Sequence, residues 1–344
     1  MVKSKAFIAV QTVRDNYEKQ NSCKTSKSVS EIGFGAWAIG GTWGEVSLED
    51  AKGALHAALD AGMTFIDTAD VYGNGRSEQI IAQVLKERGG ERPFIATKIG
   101  RRLSPHVASG YTEKNLNEFV DRSRDNLQTE TLDLVQLHCP PTEIYYTPEV
   151  FAVMDEMIRA GKIRSYGVSV EKVEEGLKAL EYPNVSSIQL IYNIFRQRPA
   201  ELLLREARRR DVGIIARVPL ASGLLTGKMK TDTAFSADDH RSFNRNGEQF
   251  DKGETFAGVP FDVALDAVED IRRLVPVDIT LAKFALRWIL MNDDVSVVIP
   301  GAKNKAQSEA NAQAGDINAL SDEVMTALKK IYLQKISPWV HQRW

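Results

Sequence analysis

FIDTADVYGNGRSE (residues 65–78) opens with an apolar pair, Phe65 and Ile66, that runs straight into Asp67. A polar turn with Tyr72 and an Asn74-Gly75 pair follows, and a helical pattern begins at Ser77. That is the pattern of a buried strand, a loop and a helix start. An ionised carboxylate at the exit of a buried strand loses several kcal/mol of solvation unless it is paired, so Asp67 requires a cation. Other segments end in the same way. PFIATK stops at Lys98, LDLVQLH stops at His138, and VSSIQL carries Gln189 shortly before Tyr192 and Asn193. Apolar strands that each finish on one chemically capable polar residue predict a shared rim.

Outward from this stretch, strands and helices alternate. Ser47 with Asp50 three positions on has capping spacing, and Ala51, Leu55, Ala58 and Leu59 keep a helical period until Gly62. Further helices are predicted over 77–86, 112–127, 147–161, 170–180, 200–211, 261–274 and 280–291. Strands are predicted within EIGFGAWAIGGTWG (31–44) and over 94–98, 134–138, 165–169, 187–190, 213–218 and 295–300. Continuous apolar strands imply burial on both faces, hence a parallel sheet covered by helices. About eight such units predict a closed (β/α)8 TIM barrel, an α/β fold of one domain, rather than an open doubly wound sheet. The active site of a barrel lies at the C-terminal strand ends, where Asp67, Lys98, His138, Ser169, Gln189 and Arg217 fall. Residues 1–30 are expected to be an arm or a bottom plug, with AFIAV as a short strand, and residues 31–344 to form the barrel. Residues 228–260, rich in Asp, Asn, Gly and Ser, are expected to be a long mobile loop or lid, and the C-terminal tail SPWVHQRW to fold over the mouth.

Composition excludes several classes. A net charge of −2 gives no electrostatic case for nucleic acid or an anionic membrane. No apolar run approaches the ~18 residues that cross a bilayer. Cys23 and Cys139 are too few for a disulfide framework and the N-terminal segment is polar, so the cytoplasm is the expected compartment. Cys139 and His138 are neighbours on a strand and point to opposite faces, which argues against a Cys/His nucleophile. The other histidines are scattered, and no metal-ligand constellation is evident. Gly33, Gly35, Gly40 and Gly41 lack the Rossmann spacing, so any dinucleotide must be held by the barrel rim.

Seven segments, FIDTADVYGNGRSE, ATKIG, LDLVQLHCP, GKIRSYGVS, QLIYN, VPLASGLLTGK and VIPGAKNKAQSEAN, resemble landmarks of the aldo-keto reductases, in order and across roughly residues 31–312. The resemblance implies a catalytic tetrad of Asp67, Tyr72, Lys98 and His138. Tyr72 would protonate a carbonyl oxygen as hydride reaches carbon, and Lys98 would stabilise its phenolate against an ordinary pKa of about 10. Asp67 would hold Lys98, and His138 would orient the carbonyl. NADPH is the implied cofactor, with NADH as the alternative. Ser169 and Gln189 would hold the nicotinamide carboxamide, with Val170 where relatives often carry Asn. Arg217 would replace the usual aromatic platform by a planar guanidinium. Leu220, Ser222, Gly223, Leu224, Thr226 and Lys228 would wrap the pyrophosphate. Gly301, Lys303, Gln307 and Asn311 would meet the adenosine end, with the Lys303 charge favouring NADP. Trp37, Trp43 and Phe195 would line a pocket for the small-molecule carbonyl substrate.

The implied activity is reduction of an aldehyde or ketone to an alcohol. The rival is a nucleotide-binding regulatory subunit of the channel β-subunit type, which keeps fold and cofactor with little turnover. A Schiff-base lyase using Lys98 is disfavoured by the pairing of that amine with Asp67. One departure concerns the family's bottom hairpin. SCKTSKSVSEIG (22–33) keeps Thr25, Val29, Ser30 and Ile32 but lacks the hairpin's glycines and apolar positions, so the plug is expected to be altered or replaced.

Overall fold

The computed structural model describes residues 4–10, 25–41, 44 and 46–344, with side chains described from residue 28 onward. Strands β1 (Ser4–Val10) and β2 (Thr25–Ser30) pair antiparallel. Then come β3 (Phe34–Gly35), β4 (Phe65–Asp67), β5 (Phe94–Ile99), β6 (Leu134–His138), β7 (Tyr166–Ser169), β8 (Val185–Ile191), β9 (Gly213–Arg217) and β10 (Val297–Val298). These eight form one parallel sheet in sequence order. Parallel bridges Ile32–Val298 and Gly35–Gly301 join its two edges, and the Gly33 and Gly35 N–H groups donate to the carbonyls of Val298 (2.8 Å) and Pro300 (3.0 Å). The sheet is therefore a closed (β/α)8 barrel.

The two-residue period of the strands sorts their side chains into two cores. Phe65, Phe94, Ala96, Leu134, Ile215 and Val297 meet Val29 inside the barrel. Ile66, Ile95, Val135, Leu137, Ile214 and Ala216 join the larger layer between strands and helices. Continued toward the strand ends, the inward set becomes Asp67, Lys98, His138 and Arg217. One alternation thus makes the core and aims the polar residues at a common axis.

At the N-terminal side, Ser4–Val10 and Thr25–Ser30 form a hairpin ahead of the barrel strands. AFIAV supplies its first strand, Val29 fills the barrel interior, and Ser30 and Thr64 exchange hydrogen bonds of 2.8 and 2.9 Å beside β4. The caps read from the sequence form: Ser47 Oγ accepts from the Asp50 N–H (3.0 Å) and Thr112 Oγ1 from that of Asn115 (3.3 Å). Two helices are shorter than predicted, Val173–Ala179 and Leu203–Arg209. In the first, the Glu175 carboxylate accepts from the Glu171 and Lys172 N–H groups and so delays the start. The second follows Pro199 and a non-helical Leu202, with φ −141°.

Within residues 228–260, expected to be a long mobile loop or lid, one part packs against itself and the barrel while stretches such as 236–238 and 245–249 are exposed. The loop's polar groups bond one another: Asn244 Oδ1 accepts from the N–H groups of Gln249 (2.8 Å) and Phe250 (2.9 Å), and Asp239, His240, Glu254 and Thr255 are buried. Among the described residues no helix is long and apolar enough to cross a membrane.

The register leaves no space beside Gly167 on β7. An added Cβ would lie 2.1 Å from Ser187 Oγ and 2.5 Å from the Ser187 carbonyl oxygen. Gly167→Ala is expected to destabilise the fold by about 2 to 3 kcal/mol through overpacking, read as a lower urea midpoint at unchanged slope. An unaltered midpoint would mean that β7 and β8 part easily.

Candidate active site

The Asp67 carboxylate is buried at the end of β4 and is fully engaged. It accepts from the Lys98 ammonium, from Gln189 Nε2 (2.6 Å) and from Gln136 Nε2 (3.2 Å). Lys98, 1% exposed, also donates to the Thr68 carbonyl (2.9 Å) and to the Tyr72 hydroxyl (3.2 Å). Tyr72 reaches this amine because its loop folds tightly against the helical turn Trp37–Gly40. Gly73, at φ +61°, lies where a Cβ would meet the Gly40 carbonyl oxygen at 2.1 Å, a place only glycine can take. Trp37 stacks on the Tyr72 ring at 6.0 Å, and His138 meets its edge at 5.9 Å.

Burial decides the protonation states. It raises the Tyr72 pKa, with the Asp67 charge adding to the rise and Lys98 opposing it. The expected lowering by Lys98 is therefore outweighed, and the phenol is protonated at neutral pH. For Lys98 burial works against the ammonium, but Asp67 and Tyr72 prevail and hold the pKa above its ordinary value. His138 lies well below the usual imidazole value through burial and the charges of Arg101, Lys98 and Arg217. It is neutral, and its Nδ1 has no hydrogen-bond partner among the described residues.

The tetrad opens into a cavity of about 1090 Å³. Its wall includes Asp67, Tyr72, His138, Gln189, Arg217, Leu220, Ser222, Gly223, Thr226, Lys228, Gly301, Lys303, Gln307, Asn311 and Trp37. Ser169 and Leu224 lie behind it, 1% and 0% exposed. Ser169 Oγ is 3.5 Å from Gln189 Oε1, so it touches the wall through that amide. Phe195 is a correction: it is absent from the wall and sits in the core between strands and helices. Its N–H donates to Asn193 Oδ1 (2.8 Å), and the turn this makes carries the ring inward. Trp43 lies outside the described residues.

Sequence reading located Arg217 but missed four charged residues, Arg101, Glu171, Arg241 and Glu254, and one amide, Gln136. Arg101, Glu171, Arg217 and Glu254 form a ring of alternating arginines and glutamates across the mouth. Arg101 contacts Glu171 at 3.0 Å and Glu254 at 2.5 Å, and Arg217 contacts them at 2.9 and 3.7 Å. Burial pushes Glu171 up to about 8 against the pull of Arg217, whereas the two arginines overcome burial at Glu254 and hold it well below the usual carboxylate range. Cys139 Sγ and both carboxylates lie within 4.8 Å of one another, but the arginines already occupy the carboxylates and burial pushes the thiol up to about 12. Arg241, from the long loop, joins Lys228 and Lys303 on the cavity wall. Lys303 is held below its ordinary value by burial and then by the Arg241 charge, which marks two cations facing one space. Gln136 had a signal, a polar residue two before His138 on the same strand face; Arg101, Glu171, Arg241 and Glu254 had none.

Asp70, two residues before Tyr72, is 0% exposed, and neither carboxylate oxygen has a hydrogen-bond partner among the described residues. Burial and the Glu78 charge raise its pKa to about 7. From about pH 4 to about pH 7 the folded chain thus holds a proton that the unfolded chain has released, and stability falls as pH rises through this window. Asp70→Asn does not titrate, so its melting temperature relative to wild type is expected to rise between pH 4 and pH 8, by an amount worth up to about 4 kcal/mol. Calorimetry at both pH values checks this; a gap independent of pH would mean that Asp70 is ionised and satisfied.

The aldo/keto reductase family model matches residues 31–333. The chain is 33% identical over 291 residues to aldo-keto reductase YhdN of Bacillus subtilis (strain 168), covering 83% of this chain and 85% of that protein. It is 28% identical over 345 residues to a probable voltage-gated potassium channel subunit beta of Arabidopsis thaliana, covering 94% of this chain and 97% of that one. Among solved structures, the glycerol dehydrogenase AKR11B4 from Gluconobacter oxydans superposes with a TM-score of 0.72 at 30% identity, covering 90% of this chain and 93% of its own. A family match that spans the whole barrel, together with a relative of this identity and coverage, leads to one conclusion: this chain belongs to the aldo/keto reductase family.

Proposed function

We propose that this protein reduces an aldehyde or ketone to an alcohol with NADPH. The observation that carries the reading is a protonated, buried Tyr72 hydroxyl 3.2 Å from the Lys98 amine, opening on a cavity whose wall also carries five cations, Arg101, Arg217, Lys228, Arg241 and Lys303. The donor set fits a dinucleotide phosphate. Lys228, Arg241 and Lys303 would meet phosphate, and Arg217 lies in the wall shared with the tetrad. The nicotinamide supplies hydride when bound.

The chain's own residues handle the proton. A carbonyl oxygen between Tyr72 and His138 receives the phenolic proton, and the phenolate left behind is stabilised by the Lys98 ammonium. Neutral His138 donates a ring N–H hydrogen bond to the same oxygen and so orients it without adding a charge. Asp67 fixes Lys98, and Gln136 and Gln189 satisfy the second carboxylate oxygen. The resemblance to a channel subunit supports a second reading, tight NADPH binding with negligible turnover.

NADPH oxidation with a panel of aldehydes and ketones distinguishes the two. Tyr72→Phe is expected to lose about 100-fold or more in rate while keeping NADPH affinity. Lys303→Ala is expected to weaken NADPH about tenfold and leave NADH unchanged. NADPH bound but unconsumed across the panel would favour the subunit reading. Tyr72 titrates above and His138 well below its ordinary value, so kcat/KM for reduction is expected to show no imidazole inflection near pH 6.5. An inflection there that His138→Gln removes would show that the imidazolium participates.

A further inference from the structure

Glu254 is the one member of the charge ring that comes from the long loop, and Trp344 lies against the turn that carries it. The Trp344 indole N–H donates to Asp251 Oδ1 (2.8 Å), and the same oxygen accepts from the Gly253 N–H (2.7 Å), which sets the turn Lys252–Glu254. One face of the indole covers Arg196, whose guanidinium is 4.0 Å from the ring centroid. Arg196 is buried, and its Nη1 and Nη2 have no hydrogen-bond partner among the described residues. The aromatic face thus supports that cation together with the Glu171 and Asp251 charges. The loop backbone closes on the indole as well. A Cβ on Gly253 would lie 2.9 Å from Trp344 Cε2, and one on Gly258 would lie 2.6 Å from Trp344 Cη2. On the opposite side Ser222 Oγ donates to the Glu254 carbonyl (3.1 Å) and accepts from the Phe256 N–H (3.0 Å).

We propose that Trp344 is a positioning residue for the cofactor platform: by clamping residues 251–258 between Arg196 and the barrel, it holds Glu254 against Arg217 and Arg101. This rests on the reading of Arg217 as the surface that meets the nicotinamide. Glu254 and Glu171 fix the Arg217 guanidinium from two sides, and of these only Glu254 sits on a loop whose place depends on a distant segment. Loss of the indole leaves Arg196 without its aromatic cover, frees the 252–254 turn, and lets Arg217 lose one of its two carboxylate partners.

The test uses Trp344→Phe, which keeps a ring over Arg196 but removes the N–H to Asp251, with Glu254→Gln as the second variant. By calorimetric titration, Trp344→Phe is expected to weaken NADPH binding about fivefold in the native background and not at all in the Glu254→Gln background, because the two act through one contact. Equal weakening in both backgrounds, or none in either, overturns the proposal. A second measurement needs no cofactor. Trypsin cleavage at Arg245 and Lys252 is expected to accelerate severalfold in Trp344→Phe, since proteolysis follows local opening; unchanged cleavage overturns the clamp. If the wild-type protein bound no NADPH, the reductase reading would fail, and the trypsin rates would still decide whether Trp344 holds the loop.

Discussion

A lysine and an aspartate buried inside the barrel, Lys98 and Asp67, constrain everything around them. Two full charges removed from water cost several kcal/mol each, and their mutual attraction repays this only if the remaining polar valences are filled. Here they are filled. Gln136 and Gln189 take the second Asp67 oxygen, and the Thr68 carbonyl and Tyr72 hydroxyl take the remaining Lys98 protons. Each partner comes from a different strand or from the loop after β4. The pair therefore tolerates one register of β4, β5, β6 and β8, and that register sets the geometry of the tetrad.

Burial also fixes the protonation states. In water a phenol beside an ammonium would titrate lower than usual; in this interior the cost of a buried phenolate and the nearby Asp67 charge reverse the sign. In the proposed reduction, Tyr72 would keep its proton until a carbonyl oxygen gains negative charge, which suits an acid. Burial and the cations around His138 keep the imidazole neutral, so a protonated phenol and a neutral imidazole face one cavity.

Beyond the tetrad, the mouth is organised by alternating arginines and glutamates. Arg217 is held by a carboxylate that follows β7 and by another from the long loop, and Arg101 bridges the same two. The ring joins barrel and loop, and Trp344 extends that connection to the segment after the last helices. The position of Arg217 thus depends on contacts made far along the chain from its own strand.

The sequence by itself determined the barrel and most of the rim. Strand period, capping residues and the run of polar strand ends are local properties, and they located Asp67, Lys98, His138 and Gln189; the role of Tyr72 came only with the resemblance to the aldo-keto reductases. Local signals also misled. Composition of residues 228–260 does not reveal that Asn244 and Asp251 bond their own loop. Phe195 read as a pocket wall because an aromatic near a strand end looks the same whether its turn points outward or inward. What only the tertiary structure decided is long-range. The ring of Arg101, Glu171, Arg217 and Glu254 joins residues up to 153 positions apart, Arg241 meets Lys303 only once the loop has folded back, and Trp344 finds Asp251 across 93. Charges and aromatic rings carry no sequence mark of their partners, because Coulomb attraction and burial act through space and are indifferent to separation along the chain.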